Sequence, residues 1–396
     1  GDSSVLSDST MELLDRMKQD GFLLPNPIEK IHHTGIDNVE SLLERKVSGI
    51  TFQVTQQCNL KCKYCLYSGD YAHRHHSVRK LDFETLQAGV EFVLRRSHSS
   101  RELNFGFYGG EPLLNFKLIK DAVAFIKKRC EGKTFYFNMT TNGTVFNDEN
   151  LSFLDENDFR IMISLDGPKE QHDRNRVFAA TGGGTYDIIM SNVEYIREKY
   201  PNLLRTLVFS AVIDPSQPDN CANEFFFTSK DIDGIAVNAS VVSSDYRISK
   251  NEVSAEYIVS EETELFKVYM HKLGRLKGEN ISQITFEKFA AFKRHAFTHR
   301  PRTSKLPSIC HHGGPCTPGQ LRLFLNAEGK FFPCEKVSEV SMQTCIGTIE
   351  NGFDVEQIKS IMNIGLLSED RCKKCWGIRT CGLCLAHVDD GESLSP

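Results

Sequence analysis

Three cysteines in one short loop constrain this chain more than any other feature of its sequence. The loop reads Gln57-Cys58-Asn59-Leu60-Lys61-Cys62-Lys63-Tyr64-Cys65, so the cysteines are separated by three residues and then by two. Cysteine thiolates are the usual ligands of iron–sulfur clusters, and three of them would hold three irons of a cubane. No fourth cysteine lies nearby, so one iron would have no protein ligand. Catalytic metal sites keep such an open position, whereas structural sites fill it.

The spacing of the loop, with Tyr64 directly before the last cysteine, resembles the signature of the radical SAM enzymes. The resemblance implies a [4Fe–4S] cluster whose open iron is chelated by S-adenosylmethionine (SAM). An electron from the cluster would cleave SAM to a 5'-deoxyadenosyl radical. Cys58, Cys62 and Cys65 are therefore the predicted catalytic residues and cluster ligands, and Tyr64 is expected beside SAM.

Zinc is the alternative occupant of this loop. A structural zinc site has four ligands at tetrahedral corners, and the loop provides three. His73, His75 and His76 lie downstream, and one of them could supply the fourth. The other motifs of the chain favour the radical SAM interpretation.

The composition is that of an ordinary globular protein. The chain has 396 residues, of which 40% are hydrophobic and 25% are charged, and its formal net charge is −5. This length suggests two or three domains, or one large barrel with additions. The small negative charge gives no reason to expect nucleic acid or an anionic membrane as a partner.

The 13 cysteines fall mostly in tight spacings that are typical of metal sites. No basic and then apolar leader opens the sequence, and it contains no long apolar span. We therefore expect a cytoplasmic protein with metal-bound thiolates rather than a secreted protein with disulfides. Cys130 and Cys221 lie outside these spacings and are expected to be buried, unreactive thiols.

Short β-rich runs alternate with helical patterns from residue 50 onward. The predicted strands cover 50–55, 103–108, 134–140, 159–164, 206–213 and 235–242, and helical patterns lie at 82–95 and 116–128. Such alternation implies parallel strands joined by crossover helices, which is an α/β fold. Six units of this kind fit the partial (β/α)6 barrel that the resemblance to radical SAM enzymes implies.

We expect four segments along the chain. Residues 1–48 are too few for a core of their own, and they would be the remnant of a leader-peptide recognition domain or an N-terminal extension. Residues 49–246 would form the barrel. Residues 247–309 would form a connecting helical region, with a helix around 261–274, and residues 310–396 would form a cysteine-rich domain.

Two helix starts are predicted inside the first segment. Ser9 with Glu12, and Asp37 with Glu40, have the spacing of a capping box. In that arrangement the two side chains satisfy each other's backbone N–H groups at the start of a helix.

The Gly109-Gly110-Glu111-Pro112 segment follows the second predicted strand. The C-terminal ends of parallel barrel strands are where functional groups gather. By the family resemblance, the glycines let the backbone approach the SAM amino group, and the Glu111 carboxylate suits an ammonium. The alternative is a glycine-rich turn in which Glu111 caps the next helix.

Further SAM-binding residues are predicted after the later strands. By resemblance, Asn142 and the Ser164-Leu165-Asp166-Gly167-Pro168 segment line the SAM pocket, and Ser164 contacts the ribose hydroxyls. Arg176 would hold the SAM carboxylate, and Val212 would pack on the adenine. Ordinary turn chemistry for the Asn-Gly and Asp-Gly-Pro segments, and a solvated helix start around Arg176, are the alternatives.

A second group of cysteines resembles the SPASM extension of radical SAM peptide-modifying enzymes, which carries two auxiliary [4Fe–4S] clusters. The pattern is Cys372-x2-Cys375-x5-Cys381-x2-Cys384, preceded by Cys310, Cys316 and Cys334. The resemblance assigns Cys310, Cys316, Cys334 and Cys384 to the first auxiliary cluster. It assigns Cys372, Cys375 and Cys381 to the second.

The tail departs from the SPASM pattern at two points. Its last pair is separated by two residues instead of three, and the final cysteine beyond Cys384 is missing. Cys345 could replace it, the ligand could lie beyond Pro396, or one iron of the second cluster could stay open. Paired C-x2-C units also occur in zinc ribbons, so one or two structural zinc ions are the alternative.

The segments 107–114 and 163–168 resemble those of maturases of Cys-rich ribosomal peptides. Those sactipeptide and ranthipeptide synthases join a Cys sulfur to a carbon of another residue. We therefore expect a radical SAM oxidoreductase that forms thioether crosslinks in a precursor peptide with a leader and a Cys-rich core. A flavodoxin or ferredoxin would supply electrons, an auxiliary cluster would take up the second electron, and Asp245 is the candidate general base.

Two other functions are compatible with the sequence. An anaerobic sulfatase-maturing enzyme shares the barrel and the SPASM tail, but it oxidises a Cys or Ser to formylglycine. A zinc-stabilised interaction protein would share only the cysteines.

Overall fold

The computed structural model describes most of the chain. The described residues are 7–20, 27–69, 71, 76–216, 222–249, 252–278, 281–294, 306–313 and 316–395. His73, His75, Cys221 and Pro396, which the sequence analysis named, lie outside them. Within the described residues, no helix is both long and apolar enough to cross a membrane.

The strands are numbered in chain order. They are β1 (Lys30–Ile31), β2 (Gly49–Thr55), β3 (Leu103–Gly109), β4 (Phe135–Thr141), β5 (Arg160–Ser164), β6 (Val208–Ile213), β7 (Ala236–Val241), β8 (Ile309–Cys310), β9 (Phe324–Leu325), β10 (Lys330–Phe332), β11 (Gly347–Thr348) and β12 (Gly352–Phe353).

The α-helices are numbered in the same way. They are α1 (Asp8–Gln19), α2 (Val39–Arg45), α3 (Phe83–Arg95), α4 (Phe116–Arg129), α5 (Asp148–Glu156), α6 (Lys169–Asn175), α7 (Tyr186–Lys199), α8 (Pro201–Thr206), α9 (Ala222–Thr228), α10 (Ala255–Lys272), α11 (Gln283–Lys293), α12 (Val355–Met362), α13 (Glu369–Lys374) and α14 (Leu385–Val388). Short 3-10 helices cover Thr34–Asn38, Pro112–Asn115, Lys230–Ile232, Ile364–Ser368 and Ile378–Thr380.

Strands β2 to β7 lie side by side in chain order, and every neighbouring pair is parallel. Helices α3, α4 and α5 each connect two of these strands, as parallel pairing requires. The predicted α/β fold and all six predicted strands are therefore confirmed. The fifth predicted segment, 206–213, begins late, at Val208, because residues up to Thr206 belong to α8.

The two faces of this sheet have different surroundings. Phe52, Phe107 and Phe159 are fully buried, and the ring centroids of Phe107 lie 6.2 Å from Phe52 and 5.7 Å from Phe159. A Cβ added to Gly89 of α3 would lie 3.1 Å from the Phe52 ring. The face of the sheet that carries Phe52 therefore packs against the helices. Side chains alternate across a strand, which leaves the other face for polar residues.

The cysteine-rich tail joins the same sheet. Strand β9 pairs with β2 in parallel, and β10, β11 and β12 extend the sheet with antiparallel pairs. At the other end of the chain, β1 pairs with β8 in a separate two-stranded sheet. Both terminal regions are thus attached to the rest of the protein by main-chain pairing.

The two capping predictions were wrong. Helix α1 begins at Asp8, and the side chain of Ser7 accepts the hydrogen bond from Thr10 N, so Ser9 lies inside the helix. Asp37 lies in a 3-10 helix, and α2 begins after Asn38 without a side-chain cap. The helix predicted around 261–274 is confirmed by α10.

Candidate functional site

The cysteine loop leaves the end of β2 and runs beside the end of β3. The N–H of Gly110 donates to Thr55 O at 2.8 Å, and the N–H of Glu111 donates to Gln57 O at 2.8 Å. A Cβ on Gly109 would lie 2.1 Å from Thr55 O, and a Cβ on Gly110 would lie 2.1 Å from Gln57 O. Only glycine permits so close an approach of two backbones. The glycine pair therefore fixes the base of the loop.

The other side of the loop is fixed by the segment that follows α6. The N–H of Lys61 donates to Val177 O, and the N–H of Ala179 donates to Asn59 O, both at 2.9 Å. The side-chain amide of Asn59 donates to Thr144 Oγ1 at 2.8 Å. The loop is thus held by contacts to three separate parts of the barrel.

Two loop sulfurs have a polar side chain directed at them. Asn142 Nδ2 lies 3.8 Å from Cys58 Sγ, and Arg176 Nη1 lies 3.9 Å from Cys62 Sγ. N–H groups beside a ligand sulfur stabilise the anionic form that binds metal. Asn142 and Arg176 are therefore positioned to stabilise the thiolate forms of Cys58 and Cys62.

Cys65 has His76 as its neighbour. The Nδ1 of His76 lies 2.8 Å from Gln56 O, whereas its buried Nε2 has no hydrogen-bond partner of ordinary geometry among the described residues. Burial opposes ionisation of Cys65, but His76 and backbone N–H groups outweigh it, so the pKa of Cys65 lies below its usual value. The nearby Cys65 sulfur raises the pKa of His76.

The other two thiols are protonated in the protein alone. Burial raises the pKa of Cys58 to about 12 and the pKa of Cys62 to about 11. A bound metal ion replaces such a proton, because a coordinating thiol is deprotonated outright. Among the described residues, no three His, Cys, Asp or Glu side chains converge as they would around a single ion. The donor set suits a cluster, in which each thiolate binds a different iron.

Asp166 joins several predicted site residues behind the loop. Its Oδ2 accepts hydrogen bonds from the Tyr64 hydroxyl and from Arg176 Nε, the latter at 3.1 Å. Its Oδ1 accepts from Val212 N at 3.1 Å, and its own N–H donates to His172 Nδ1 at 3.2 Å. Asp166 is fully buried, so it orients these groups and does not itself face the cavity.

Burial alone disfavours the charged Arg176 guanidinium, but Asp166 and Tyr64 outweigh that effect and hold the pKa of Arg176 well above its usual value. The guanidinium carbon lies 5.3 Å from the centre of the Tyr64 ring. Burial is the main reason why the pKa of Tyr64 is raised well above its usual value. Arg176 is therefore a fixed positive charge beside the loop.

Glu111 takes the position of the alternative interpretation, since its side chain caps the short 3-10 helix Pro112–Asn115. It is fully buried, and its carboxylate accepts hydrogen bonds from Asn142 N at 2.7 Å, Thr141 Oγ1 at 2.8 Å and Leu113 N at 3.2 Å. Burial raises the pKa of Glu111 to about 7, although these hydrogen bonds oppose the shift. The carboxylate thus ties the end of β4 to the segment after β3, and it does not line the cavity described next.

A cavity of about 480 Å³ opens above the loop. Its volume is in the range of small-molecule sites. Ten predicted site residues line it, which are Cys58, Cys62, Tyr64, Cys65, Gly109, Gly110, Asn142, Ser164, Arg176 and Val212.

The floor of the cavity contains residues that the sequence analysis missed. Met162, Ser210, Asn238 and Ser240 line it together with Ser164 and Val212. These residues alternate along β5, β6 and β7, and the register pairs Ser164 with Ser210, and Ser210 with Asn238. The sequence pattern that could have identified this floor is the occurrence of polar residues at every second position of otherwise apolar strands.

The tail supplies one wall of the cavity, which sequence reasoning also missed. Arg322, Glu335 and Lys336 line it, and Lys336 follows Cys334 by two positions. The sequence feature that could have identified Glu335 and Lys336 is that they directly follow Cys334 of the tail. The wall brings the first set of tail cysteines close to the cavity.

Three tail cysteines, Cys316, Cys334 and Cys384, have raised pKa values. Partial burial and then Cys384 raise the pKa of Cys316. Burial, Glu335 and Cys316 raise the pKa of Cys334 to about 11. The assignment of these cysteines to a first auxiliary cluster stays a prediction.

Cys310, the fourth cysteine of that expected set, has an apolar environment. Cys310 is buried in a small apolar cluster with Ile28, Ile31 and Ile378, and Cys372 packs against the same cluster. Ile378 belongs to the segment between Cys375 and Cys381. Cys310 thus shares an apolar cluster with one cysteine of the expected second set, Cys372, and its segment also contacts Leu383, next to Cys384, through His312 Nε2 at 3.0 Å.

Three other predictions concern isolated residues. Asp245 does not line the cavity, because it lies 3.8 Å from His387 Nε2 and beside Cys384. Cys345 lines a separate cavity of about 600 Å³ with Tyr67 and Met342. Cys130 is fully buried, as expected.

Comparison with known proteins points to the radical SAM enzymes, the family that the cysteine loop resembles. The model of the radical SAM superfamily matches residues 52–225. The cysteine-type anaerobic sulfatase-maturating enzyme of Clostridium novyi (strain NT) is 31% identical over 156 residues, which are 38% of this chain and 41% of that enzyme. The radical SAM cyclopropyl synthase TigE of Paramaledivibacter caminithermalis (strain DSM 15212 / CIP 107654 / DViRD3) is 24% identical over 186 residues, 43% of this chain and 38% of TigE. The chain thus spans about two fifths of these relatives.

A solved structure extends the likeness to most of the fold. Native anSMEcpe with bound AdoMet aligns with a TM-score of 0.66 and 22% identity over 88% of this chain and 93% of that chain. An alignment over 88% of the chain extends beyond residues 49–246, and the predicted fold class, an α/β partial barrel with a cysteine-rich tail, is confirmed.

A radical SAM domain uses a [4Fe–4S] cluster and SAM as cofactors. Cys58, Cys62 and Cys65 would hold the cluster here, and the cavity above them would hold SAM, while the tail cysteines suit auxiliary clusters. His76, Asn142 and Arg176 beside the three loop sulfurs fit this occupancy, because polar groups next to ligand sulfurs stabilise thiolates. Residues 52–225 therefore match the radical SAM superfamily, and the loop cysteines lie inside the matched range.

Proposed function

We propose that the protein is a peptide maturase that joins a cysteine sulfur to a carbon atom within a ribosomally made, Cys-rich precursor peptide. The observation that carries this proposal is the position of the cavity between two sets of cysteines. The loop cysteines form one wall, and the residues next to Cys334 form another. A peptide bound there would lie between a radical source and a second redox group.

The cofactors supply the oxidising power of the reaction. Overall, a substrate C–H bond and a substrate S–H bond are replaced by a C–S bond, SAM leaves as methionine and 5'-deoxyadenosine, and one proton is released. The protein's own residues position the reactants. Arg176 provides a fixed positive charge for a carboxylate, and Ser164, Ser210 and Asn238 provide hydrogen-bonding groups on the floor.

The tail wall supports a peptide as the substrate. Arg322 and Lys336 place positive charge beside Glu335 at the cavity edge, and Arg322 Nη1 lies 4.0 Å from Glu335 Oε1. Paired charges of this kind can bind the carbonyl and N–H groups of a main chain. Two solved structures of similar fold are native anSMEcpe with bound AdoMet and the Kp18Cys or Cp18Cys peptide.

Sulfatase maturation is the second candidate function. It is favoured by the names of the relatives, which include the cysteine-type enzyme of Clostridium novyi and the serine-type anaerobic sulfatase-maturating enzyme of Bacteroides thetaiotaomicron (strain ATCC 29148 / DSM 2079 / JCM 5827 / CCUG 10774 / NCTC 10582 / VPI-5482 / E50). The latter is 31% identical over 121 residues, 30% of this chain and 29% of that enzyme. Its product would be formylglycine in place of a crosslink.

One experiment distinguishes the two functions. The reduced enzyme, with SAM and a flavodoxin or ferredoxin as electron donor, is incubated with a Cys-rich peptide encoded beside its gene and, separately, with a sulfatase-derived peptide. Thioether formation predicts a loss of two hydrogens per bridge and a cysteine that resists alkylation. An aldehyde that reacts with a hydrazide, on the sulfatase peptide alone, would contradict the thioether proposal.

A further inference from the structure

We propose that the substrate peptide binds as an added strand along the free edge of β7. Strand β7 is the last strand of the ten-stranded sheet, and its residues also form part of the cavity floor. This binding mode rests on the proposed function only in that the substrate is a peptide. It does not depend on which bond the enzyme makes in that peptide.

The first observation is the direction of the main-chain groups of β7. Val241 lies opposite Ile213 of β6, and the N–H of Val242 donates to Ile213 O at 2.9 Å. Successive residues of a strand direct their N–H and C=O groups to opposite edges. Val237, Ala239 and Val241 therefore direct their main-chain groups away from β6, toward the free edge.

The second observation is that these groups are unpaired. Among the residues that the structure describes, no strand pairs with the outer edge of β7. Within the same residues, no hydrogen bond reaches the main-chain N–H or C=O of Val237, Ala239 or Val241. Three N–H groups and three C=O groups thus lie along one side of the strand. Such a row is a template for pairing with another extended chain.

The third observation is the exposure of β7 on its cavity side. Ala236, Asn238 and Ser240 are exposed, whereas Val237 and Ala239 are half-buried and pack against the hydrophobic core. Helix α11 packs against β7 and α9, and α9 is the crossover helix between β6 and β7. Helix α11 therefore lies on the helix side of the sheet, and the cavity side of β7 stays open.

The length of the free edge suits a short peptide. Tyr71 limits the edge at one end, because its hydroxyl donates to Ser243 O at 3.0 Å, two positions beyond the end of β7. The six residues of β7 span about 20 Å. A second copy of the chain is the other extended partner that could pair here. A stable interface between two copies buries about 1,200 Å² or more, for which an edge of six residues is short.

The neighbours of the free edge favour a substrate peptide as the occupant. Asn238 and Ser240 line the cavity, and the register places them opposite Ser210 and Val212 of β6, which line it as well. A strand added to β7 would continue this row, so every second side chain of the peptide would face the cavity. Main-chain pairing would supply the affinity, and the cavity would select the side chains. The added strand would thus hold a substrate residue beside the SAM site.

The main test uses substrate peptides with a single N-methyl group on the main chain. The probes are fluorescent synthetic forms of the Cys-rich peptide encoded beside the gene and, separately, of a sulfatase-derived peptide. Each is methylated at one position at a time. Their Kd values for the cluster-loaded enzyme with SAM are measured anaerobically by fluorescence anisotropy, without a reductant, so that no turnover occurs.

We expect N-methylation to weaken binding at every second position of a segment of about six residues. Each lost hydrogen bond should raise Kd about threefold to tenfold, and methyl groups at the intervening positions should have little effect, because those N–H groups point away from β7. An effect at consecutive positions, or at no position, would overturn the proposal.

A protein variant tests the same contact from the side of the enzyme. Val237→Pro removes an N–H from the free edge and no hydrogen bond to β6, and proline is tolerated at such edge positions. Val237→Ala keeps the N–H and measures the effect of trimming the side chain. The Kd of the unmodified peptide should be about threefold to tenfold higher for Val237→Pro than for Val237→Ala. Equal Kd values in the two variants would contradict strand addition.

Further outcomes separate this proposal from the others. If circular dichroism shows that Val237→Pro does not fold, the N-methyl series on the wild-type enzyme decides alone. A peptide-free dimer that Val237→Pro dissociates, as measured by sedimentation, would assign the edge to a second copy and overturn the proposal. Alternation with formylglycine as the product would support strand addition and contradict thioether formation. A thioether product without alternation would do the reverse, and binding of neither peptide would overturn both.

Discussion

Arg176 places its Nη1 atom 3.9 Å from the sulfur of Cys62. Asp166 fixes the guanidinium in that position through a 3.1 Å hydrogen bond from Arg176 Nε. Asn142 has a comparable position beside Cys58, and His76 lies beside Cys65. Each sulfur of the loop therefore has its own polar neighbour, so the environment of a cluster here is asymmetric and built by three different parts of the barrel.

Replacing Arg176 by Gln should weaken the loop site. The substitution removes a positive charge and a donor from Cys62, and it leaves Asp166 with one partner fewer. Loss of such an outer partner typically costs about 10- to 100-fold in metal affinity or activity. Release of 5'-deoxyadenosine and the midpoint potential of the loop cluster measure the effect. Arg174→Gln is the matched control, because Arg174 is exposed, and an equal effect in both variants would contradict the role of Arg176.

Replacing Val212 by Ala should reduce the affinity for SAM. Val212 lines the cavity, and losing the contact of two methyl-sized groups costs about 1.5 kcal/mol, or roughly tenfold in Kd. Val208→Ala is the control, since Val208 lies four positions earlier on β6 and thus on the same face. Calorimetric titration with SAM checks both variants. Equal losses in Kd would show that strand packing, not a contact with the ligand, is responsible.

Replacing Cys58, Cys62 and Cys65 by Ala should remove one cluster and leave the tail intact. Iron should fall by about four atoms per chain, and formation of 5'-deoxyadenosine should stop. Metal and sulfide analysis of anaerobic protein measures the first effect, and chromatography measures the second. Retention of all the iron would mean that the loop is not a cluster site.

His172 should make the protein less stable as the pH falls. Burial and then Arg176 lower the pKa of His172 to about 3, whereas a free histidine has a pKa of about 6.5. Between these values the unfolded chain binds more protons than the folded chain, so the free energy of unfolding falls by up to about 1.4 kcal/mol per pH unit. Glu111 contributes with the opposite sign, because its pKa is raised to about 7 by burial.

The comparison of wild type with His172→Gln separates the two contributions. Their difference in free energy of unfolding, from denaturant titrations at about pH 7 and about pH 5.5, should shrink at the lower pH. Glu111 is present in both proteins and cancels. A difference that is constant across this range would contradict the assignment to His172.

The barrel was predictable because its signals are local. Each strand of the sheet is a short apolar run, and α3 follows Asp82, whose side chain accepts a hydrogen bond from Thr85 N as a cap should. The cysteine loop was recognisable from its ligand spacing, and the glycine pair was recognisable because only glycine permits close backbone approach. Val212 and Ser164 were placed at the cavity by the family resemblance, and both line it.

Other features depend on contacts between distant segments. The role of Glu111 as a tie to Asn142, and the tail wall with Arg322, arise from packing that no local pattern encodes. The position of Cys310 depends on the pairing of β1 with β8, which joins residues nearly 280 positions apart. The division of the chain at residues 246 and 309 remains a prediction, and so do the cofactor-binding roles of the individual residues.

The pairing of β9 with β2 has a consequence for electron transfer. Thr51 N donates to Leu323 O at 2.8 Å, and Ala327 N donates to the Gln53 side chain at 3.0 Å. The strand that delivers the loop cysteines and the strand that begins the tail sheet are therefore neighbours in one hydrogen-bonded ladder. The electron-tunnelling distance between redox centres in the two regions would be fixed by this strand pairing. It would therefore stay constant from one turnover to the next.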